Sequence, residues 1–342
     1  MRALVLLNPA ARGGRNRHLR GPLAQALARA GLDAEIAETT DRGNAEALAQ
    51  AAGRRGRLVV VAGGDGTVHE AVNGLAGTGG TLGVLPLGTG NDFARTLGVP
   101  RGLDAAARAL AAAPARRIDL GRVAWADGRG RHERVFANCL GVGFDADAAA
   151  LAAETKWLGG RASYLAAVLR SLWAWRRPLV HVRVRAGSRV GLATLAAAAG
   201  AGAAVAEGDP DADPDADPDA VDYSGPLFLC EVGNGRSMGG GFLITPDARL
   251  DDGLLDVCLA RHLTPRRALQ LLPRSLSGRH TGAPEVTVAR ARWLSLDVTA
   301  SAAGGVGVQA DGEPLADDAA WVRAEVVPDA LAVLAPRLGP IS

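Results

Sequence analysis

Five residues, Gly63-Gly64-Asp65-Gly66-Thr67, stand between an apolar run at 58–62 and a helix-compatible stretch at 68–75. Glycines at a strand-to-helix turn tolerate positive φ and let a ligand reach bare backbone. The helix start adds unpaired N–H groups and a partial positive charge, a setting suited to phosphate. Asp65 is the discordant member, because a carboxylate repels phosphate unless a cation lies between them. Glycines for phosphate and one acid for a metal are the chemistry of a nucleotide site. Two other turns carry related chemistry: Asn8-Pro9-Ala10-Ala11-Arg12-Gly13-Gly14-Arg15 and Gly88-Thr89-Gly90-Asn91-Asp92. Any phosphate-neutralising side chain has to be arginine, since Lys156 is the only lysine. Its planar fork grips phosphate at two points.

The elements that must position these turns alternate. Strands are expected at 3–7, 34–38, 58–62 and 81–85, separated by helices ending near 30, at 45–52 and at 68–75. That rhythm implies βαβ units on a parallel, doubly wound sheet covered on both faces. Ligands of such sheets sit at the carboxyl ends of the strands, where all three glycine turns fall. After Pro114 the rhythm changes. Strands are expected at 117–124, 133–140, 179–185, 227–232, 254–260, 285–289, 293–298 and 305–309. Only two helical stretches, about 158–175 and 265–273, interrupt them, which implies an antiparallel, β-sandwich-like second domain. The expected boundaries are 1–116 for the α/β domain and 117–325 for the β-rich one, with 326–342 returning to the first. Asp-Pro-Asp-Ala, repeated over 209–220, cannot bury apolar area, so about 200–222 reads as a disordered surface insertion.

Composition narrows the partners. The net charge of +2 conceals eight acids and no base in residues 207–222, which leaves the remainder at about +10. An excess of arginine over acids in residues 1–60 favours nucleotides or an anionic membrane surface. Cys139, Cys230 and Cys258 are far apart, with no zinc spacing and no disulfide framework, and read as buried thiols. No stretch approaches about 18 consecutive apolar residues, so a cytoplasmic protein with at most peripheral membrane contact is expected. Residues 157–177 carry Trp157, Trp173 and Trp175 among four arginines, the composition of an interfacial helix. Aromatics packed on a sheet with arginines reaching outward are the favoured reading there.

Taken in order, the motifs resemble those of bacterial diacylglycerol kinase-like lipid kinases, relatives of sphingosine kinases and more distantly of NAD kinases and phosphofructokinases. They are Asn8-Pro9 with Gly13-Gly14; Gly63 to Thr67 with Glu70; and Pro86-Leu-Gly-Thr-Gly-Asn-Asp-Phe-Ala94. Beyond those come Asn234-Gly235 with Met238-Gly-Gly-Gly241, Leu250-Asp-Asp-Gly-Leu-Leu-Asp256, and Asp311-Gly-Glu-Pro314. The resemblance implies transfer of the ATP γ-phosphoryl group to the hydroxyl of a lipid such as diacylglycerol. It places ATP contacts on Asn8, Pro9, Ala10, Ala11, Arg12, Thr39, Gly64, Asp65, Gly66, Thr67, Val68, His69, Glu70 and Thr89, with Asp65 acting through Mg²⁺. Glu313 takes the family's general-base position, although Asp-Gly is equally a plain hairpin signal. A second Mg²⁺, holding shape rather than reacting, would use the Arg249 and Leu254 carbonyls and the Asp252 carboxylate. Two departures are His69, where many relatives have Asn, and a first loop that carries arginines and no lysine.

The partners implied are a lipid substrate and a membrane met peripherally, with no nucleic acid; a homodimer is compatible. Sphingosine, ceramide and phosphatidylglycerol are rival acceptors, and the two later Asp-Gly motifs argue against NAD. A non-catalytic nucleotide- or lipid-binding regulator is the other alternative, opposed by intact Asp65 and Glu313.

Overall fold

Val59, Val60 and Val61 are all fully buried, so the strand they form is covered on both faces. It is β3 (Leu58–Gly63), third in a parallel run with β1 (Ala3–Leu7), β2 (Ala34–Glu38) and β4 (Thr81–Pro86), in the order β2-β1-β3-β4. The computed structural model describes residues 2–154, 169–172, 175, 177–185, 221–300 and 304–337. Helices α1 (Arg20–Arg29), α2 (Asn44–Gly53), α3 (Asp65–Leu75), α4 (Asp92–Thr96) and α5 (Leu103–Ala112) accompany the parallel strands. α2 packs on α3 and α1 on α5, closing a core rich in Ala, Val and Leu. α3 begins at Asp65, three residues earlier than its apolar pattern suggests, with Gly64 in extended conformation before it.

The second half is an antiparallel sandwich. Its strands are β5 (Ala115–Asp127), β6 (Gly130–Phe136), β7 (Cys139–Gly143), β8 (Leu179–Arg185), β9 (Val221–Pro226), β10 (Leu229–Gly233) and β11 (Leu255–Ala260). β12 (Val286–Ala291), β13 (Trp293–Ala300), β14 (Val306–Ala310), β15 (Glu313–Ala319) and β16 (Trp321–Leu334) complete it. One sheet, ordered β12-β11-β10-β7-β14-β15, faces β16, β13, β8 and β9 of the other. Alternate residues such as Leu140, Val142, Val182, Leu294 and Val308 fill the space between them. β5 and β16 run the length of both halves. β16 pairs with β13 and β5 along most of its course, then lies parallel to β4 through Ala332 and Val333.

One expected strand divides and another shifts. The 133–140 stretch is β6 and β7, because the Ala137 and Asn138 N–H groups point to the Asp311 carboxylate instead of a neighbouring strand. The 227–232 stretch marks a change of sheet: β9 pairs with β8, whereas β10 pairs with β7 and β11. Helix α6 (Phe144–Glu154) was not expected. Its alanines give little amphipathic period, so the pattern that reveals a helix is missing. The last helix, α7 (Pro265–Ser275), opens on Thr264, whose hydroxyl caps the Arg267 N–H. The helix expected at about 158–175 lies largely outside the described residues. Of it, Leu172 is buried and Trp175 packs edge-on against Phe144 and Phe228. The expected insertion is likewise outside them, apart from Val221 and Asp222 at the start of β9. β8 and β9, on either side of 186–220, pair directly through Val184 and Val221.

Candidate active site

The carboxyl ends of β1, β3 and β4 open into a cleft of about 1700 Å³ whose far wall belongs to the sandwich. Its near wall is made by Asn8, Pro9, Ala10, Ala11 and Arg12, by Thr39, by Gly64 through Glu70, and by Thr89. Its far wall includes Met238, Gly240, Gln309, Asp311 and Glu313. The residues expected to contact a nucleotide and the expected general base therefore line one space. Arg249, Asp252 and Leu254 do not line it.

The near wall is tied together by short links. Asn8 donates from Nδ2 to Thr67 Oγ1 at 2.8 Å and accepts the Ala10 N–H at 2.9 Å, joining the first loop to the start of α3. Arg12, Gly13 and Gly14 all have positive φ, at 55°, 69° and 84°. A non-glycine residue seldom sits there, and such strain clusters where backbone is shaped for a ligand. Gly64 and Gly88 bring two loops into backbone contact: a Cβ on either would run into the other's Cα. Glu70 points elsewhere, accepting the Ala45 N–H at 3.1 Å near the start of α2. It supports the loop bearing Thr39.

Asp65 is held from both sides. Its carboxylate accepts the Asn91 N–H at 2.7 Å and the Asp92 N–H at 2.9 Å, so it caps α4. Burial and then the Asp92 charge push its pKa up to about 7, against those two hydrogen bonds, which pull it down. The two acids face one another across Gly90, where a Cβ would lie 2.6 Å from Asp65 Oδ2 and 3.3 Å from Asp92 Oδ2. Asp92 also bridges the halves, accepting from Ser237 Oγ at 3.1 Å and from the Gly240 N–H at 2.7 Å.

The far wall presents Glu313 on a turn. Asp311 and Gly312 have φ of 52° and 84°. Asp311 accepts four hydrogen bonds: from the N–H groups of Asn138, Cys139 and Ala137 at 2.8, 3.0 and 3.1 Å, and from His69 Nδ1 at 3.0 Å. His69 Nε2 faces the Asn73 amide at 3.3 Å, and that amide donates to the His69 and Val135 carbonyls at 2.9 and 3.0 Å. Gln309 steadies the same turn, accepting the Gly312 N–H at 2.7 Å while donating to Asp145 at 2.6 Å. Glu313 is thereby set against the start of α3, so close that a Cβ on Gly66 would collide with its Oε1. Arg42 approaches Glu313 Oε2 at 3.5 Å from the loop after Thr39.

Residues 2–123 match the model of the diacylglycerol kinase catalytic domain, and residues 138–335 match the YegS C-terminal NAD kinase beta sandwich-like domain. The chain belongs to the diacylglycerol kinase catalytic family. The "Diacylglycerol kinase" of Mycobacterium tuberculosis is 34% identical over 295 residues, covering 85% of this chain and 81% of that protein. The "Probable lipid kinase YegS-like" of Pseudomonas aeruginosa PAO1 is 33% identical over 331 residues, 95% of this chain and 92% of its own. A crystal structure of a diacylglycerol kinase from Bacillus anthracis str. Sterne superposes with a TM-score of 0.64 at 20% identity, over 98% of this chain and 96% of that one. This last likeness concerns the fold alone.

Sequence reasoning missed Asp92 as a bridge, Arg42 as a partner of Glu313, and Gln309 as a brace. Asp92 and Gln309 stand within or beside motifs already singled out. Arg42 had no motif around it. The Asp252 loop stands apart, with its carboxylate paired to Arg290 and accepting the Leu254 N–H at 3.2 Å. Nearby Asp256 has a buried Oδ2 without a hydrogen-bond partner. Burial chiefly, with Asp252 and Asp247 adding to it and Arg290 opposing, pushes the Asp256 pKa up to about 6.

Proposed function

We propose that this kinase-family protein transfers the γ-phosphoryl group of ATP to the hydroxyl of a lipid such as diacylglycerol, with Mg²⁺ required. The observation that carries the reading is the placement of Glu313 against Gly66, a carboxylate facing the glycine turn from across the cleft. The near wall fits a nucleotide: Gly64, Gly66 and Gly88 leave bare backbone, and the left-handed run from Arg12 to Gly14 shapes a loop for phosphate. The acid pair offers a divalent cation two facing carboxylates, Asp65 and Asp92, of which Asp92 is already paired with Arg95 at 2.5 Å. Mg²⁺, when bound, neutralises charge on the β- and γ-phosphates. Asp65 and Asp92 are the residues that would hold it.

The chain's own residues supply position and proton transfer. Glu313 takes the proton from the acceptor hydroxyl as that oxygen attacks the γ-phosphorus, and the bond from phosphorus to the β–γ bridging oxygen breaks to release ADP. Asp311, through its four hydrogen bonds, fixes the turn that aims Glu313. Arg12, Arg15 and Arg17 line the cleft and would neutralise phosphate oxygens. At the remote loop, the Asp252 carboxylate and the Arg249 and Leu254 carbonyls would hold a structural cation, supported by the orphaned Asp256 oxygen. Such a cation would have to displace Arg290.

Radiolabelled ATP offered with diacylglycerol, sphingosine, ceramide and phosphatidylglycerol tests the reading. Wild-type protein is expected to label diacylglycerol. Glu313→Gln should bind ATP as before while turnover falls about 10²- to 10⁴-fold. Near-normal turnover in that variant would sink the general-base role, and no label in any lipid would sink the function.

A further inference from the structure

Among the described residues, five large hydrophobic side chains are conspicuously exposed, and all five belong to the second half: Leu169, Leu179, Leu269, Leu276 and Val288. Two share one helix. Leu269 is 40% exposed and Leu276 just beyond α7 is 51% exposed. Seven residues apart, they lie on one face with the exposed Pro273 between them. Core packing does not account for them. The inward face of α7 is made by Ala268 and Leu271, already buried in a cluster with Phe144, Phe228 and Leu263.

Charge points the same way. Residues 261–284 hold five arginines and two histidines and not one acid. Arg267 pairs with Glu285 at 2.8 Å, and Arg261 reaches the Pro284 carbonyl at 3.0 Å. Arg266, Arg274 and Arg279 are exposed and make no ion pair among the described residues. On the helical wheel Arg266 borders the Leu269–Pro273–Leu276 stripe, and Arg274 follows on the same side beyond Gln270. A narrow apolar stripe beside unpaired cations is the pattern of a helix lying in a lipid interface. The surface also adjoins the cleft. The Leu243 N–H donates to the Ser275 carbonyl at 2.8 Å, and the segment holding Leu243 begins with Met238 and Gly240 of the far wall.

We propose that this outer face docks on an anionic lipid bilayer, with Leu269, Pro273 and Leu276 entering the acyl boundary and Arg266, Arg274 and Arg279 meeting headgroup phosphates. The inference deepens the lipid-kinase reading, on which it rests for the presence of substrate in a membrane. An acidic protein partner is less well matched, since the stripe lies flat on a convex helix and offers no groove.

Sedimentation with phosphatidylcholine vesicles, with and without phosphatidylglycerol, tests it on the full chain. Wild type should partition onto the anionic vesicles and lose that partitioning in high salt. Leu269→Gln with Leu276→Gln, and separately Arg266→Gln with Arg274→Gln, should each lower the partition coefficient about tenfold. Both pairs should phosphorylate a short-chain, water-dispersed diacylglycerol at the wild-type rate. Leu276→Gln alone, at the most exposed position, stands in if a pair fails to fold, with a several-fold loss expected. Wild-type partitioning by either pair, or equal binding to both vesicle types, overturns the docking face even if diacylglycerol is phosphorylated. Binding that depends on α7 with no lipid phosphorylated leaves the docking face standing and sinks the kinase reading.

Discussion

Asp311-Gly312 and Asp252-Gly253 are one dipeptide in two settings. Both turn the chain with a glycine at positive φ, 84° and 71°. They differ in what faces the aspartate. Asp311 lies under the cleft wall with four donors converging on it, three of them backbone N–H groups. Asp252 lies away from the cleft, paired with Arg290, whose side chain is 44% exposed. The first carboxylate shapes a site by being saturated. The second keeps a partner that water or a cation can replace. A local turn signal thus says where the chain bends, and the long-range donors decide what the bend is for.

The sharpest way to break this contrast is at Asp311. Asp311→Ala leaves three backbone N–H groups without their acceptor and is expected to cost about 3 kcal/mol or more, read from the denaturant midpoint. Turnover should fall with it, because Glu313 loses its support. Gly66→Ala is next. Its new methyl meets Glu313, so turnover should fall about a hundredfold while the melting temperature stays near wild type.

The proposed cation role of Asp65, across the cleft from the Asp311 turn, carries a pH signature. Because the Asp65 pKa is raised to about 7 from 3.8, the folded state holds a proton there that the unfolded chain releases. That contribution to stability is present below about pH 4 and is lost as pH rises through 7. If Asp65 holds Mg²⁺ as proposed, its carboxylate has to lose that proton first, so the Mg²⁺ concentration for half-maximal activity should fall between pH 6 and 8. A requirement unchanged by pH would remove Asp65 from the cation's ligands. The smallest effect belongs to Asp252→Asn. Less than about 1 kcal/mol of stability and no change in turnover are expected, with loss of any Mg²⁺-dependent rise in melting temperature. An inactive Asp252→Asn would erase the distinction between the turns.

Much of this arrangement is legible in the sequence. β1 to β4 announce themselves as apolar runs between glycine turns, and the motifs at 8–15, 63–67 and 88–92 fall together because parallel strands share a carboxyl edge. Glu313 is legible only through family resemblance, since its motif alone is a hairpin tip. What stayed hidden has one physical character. Asp311 is separated from Asn138 by 173 residues and Asp92 from Gly240 by 148, and no local period encodes such bonds. The same bonds explain the break between β6 and β7, where backbone leaves its ladder to reach Asp311. Helix α6 stayed hidden for the opposite reason, because alanine on every side conceals which face is buried.

β5 and β16 run through both halves with one bulge between Val327 and Leu331, which makes the cleft a notch in a shared board rather than the gap between two separate jaws. Bending it shut would shear a long shared ladder, in which even the bulge near Asp329 is pinned by the Asp119 carboxylate at 2.9 Å. Floor and far wall of the cleft thus share one ladder, and its lining includes Arg42, Arg129 and Gly240.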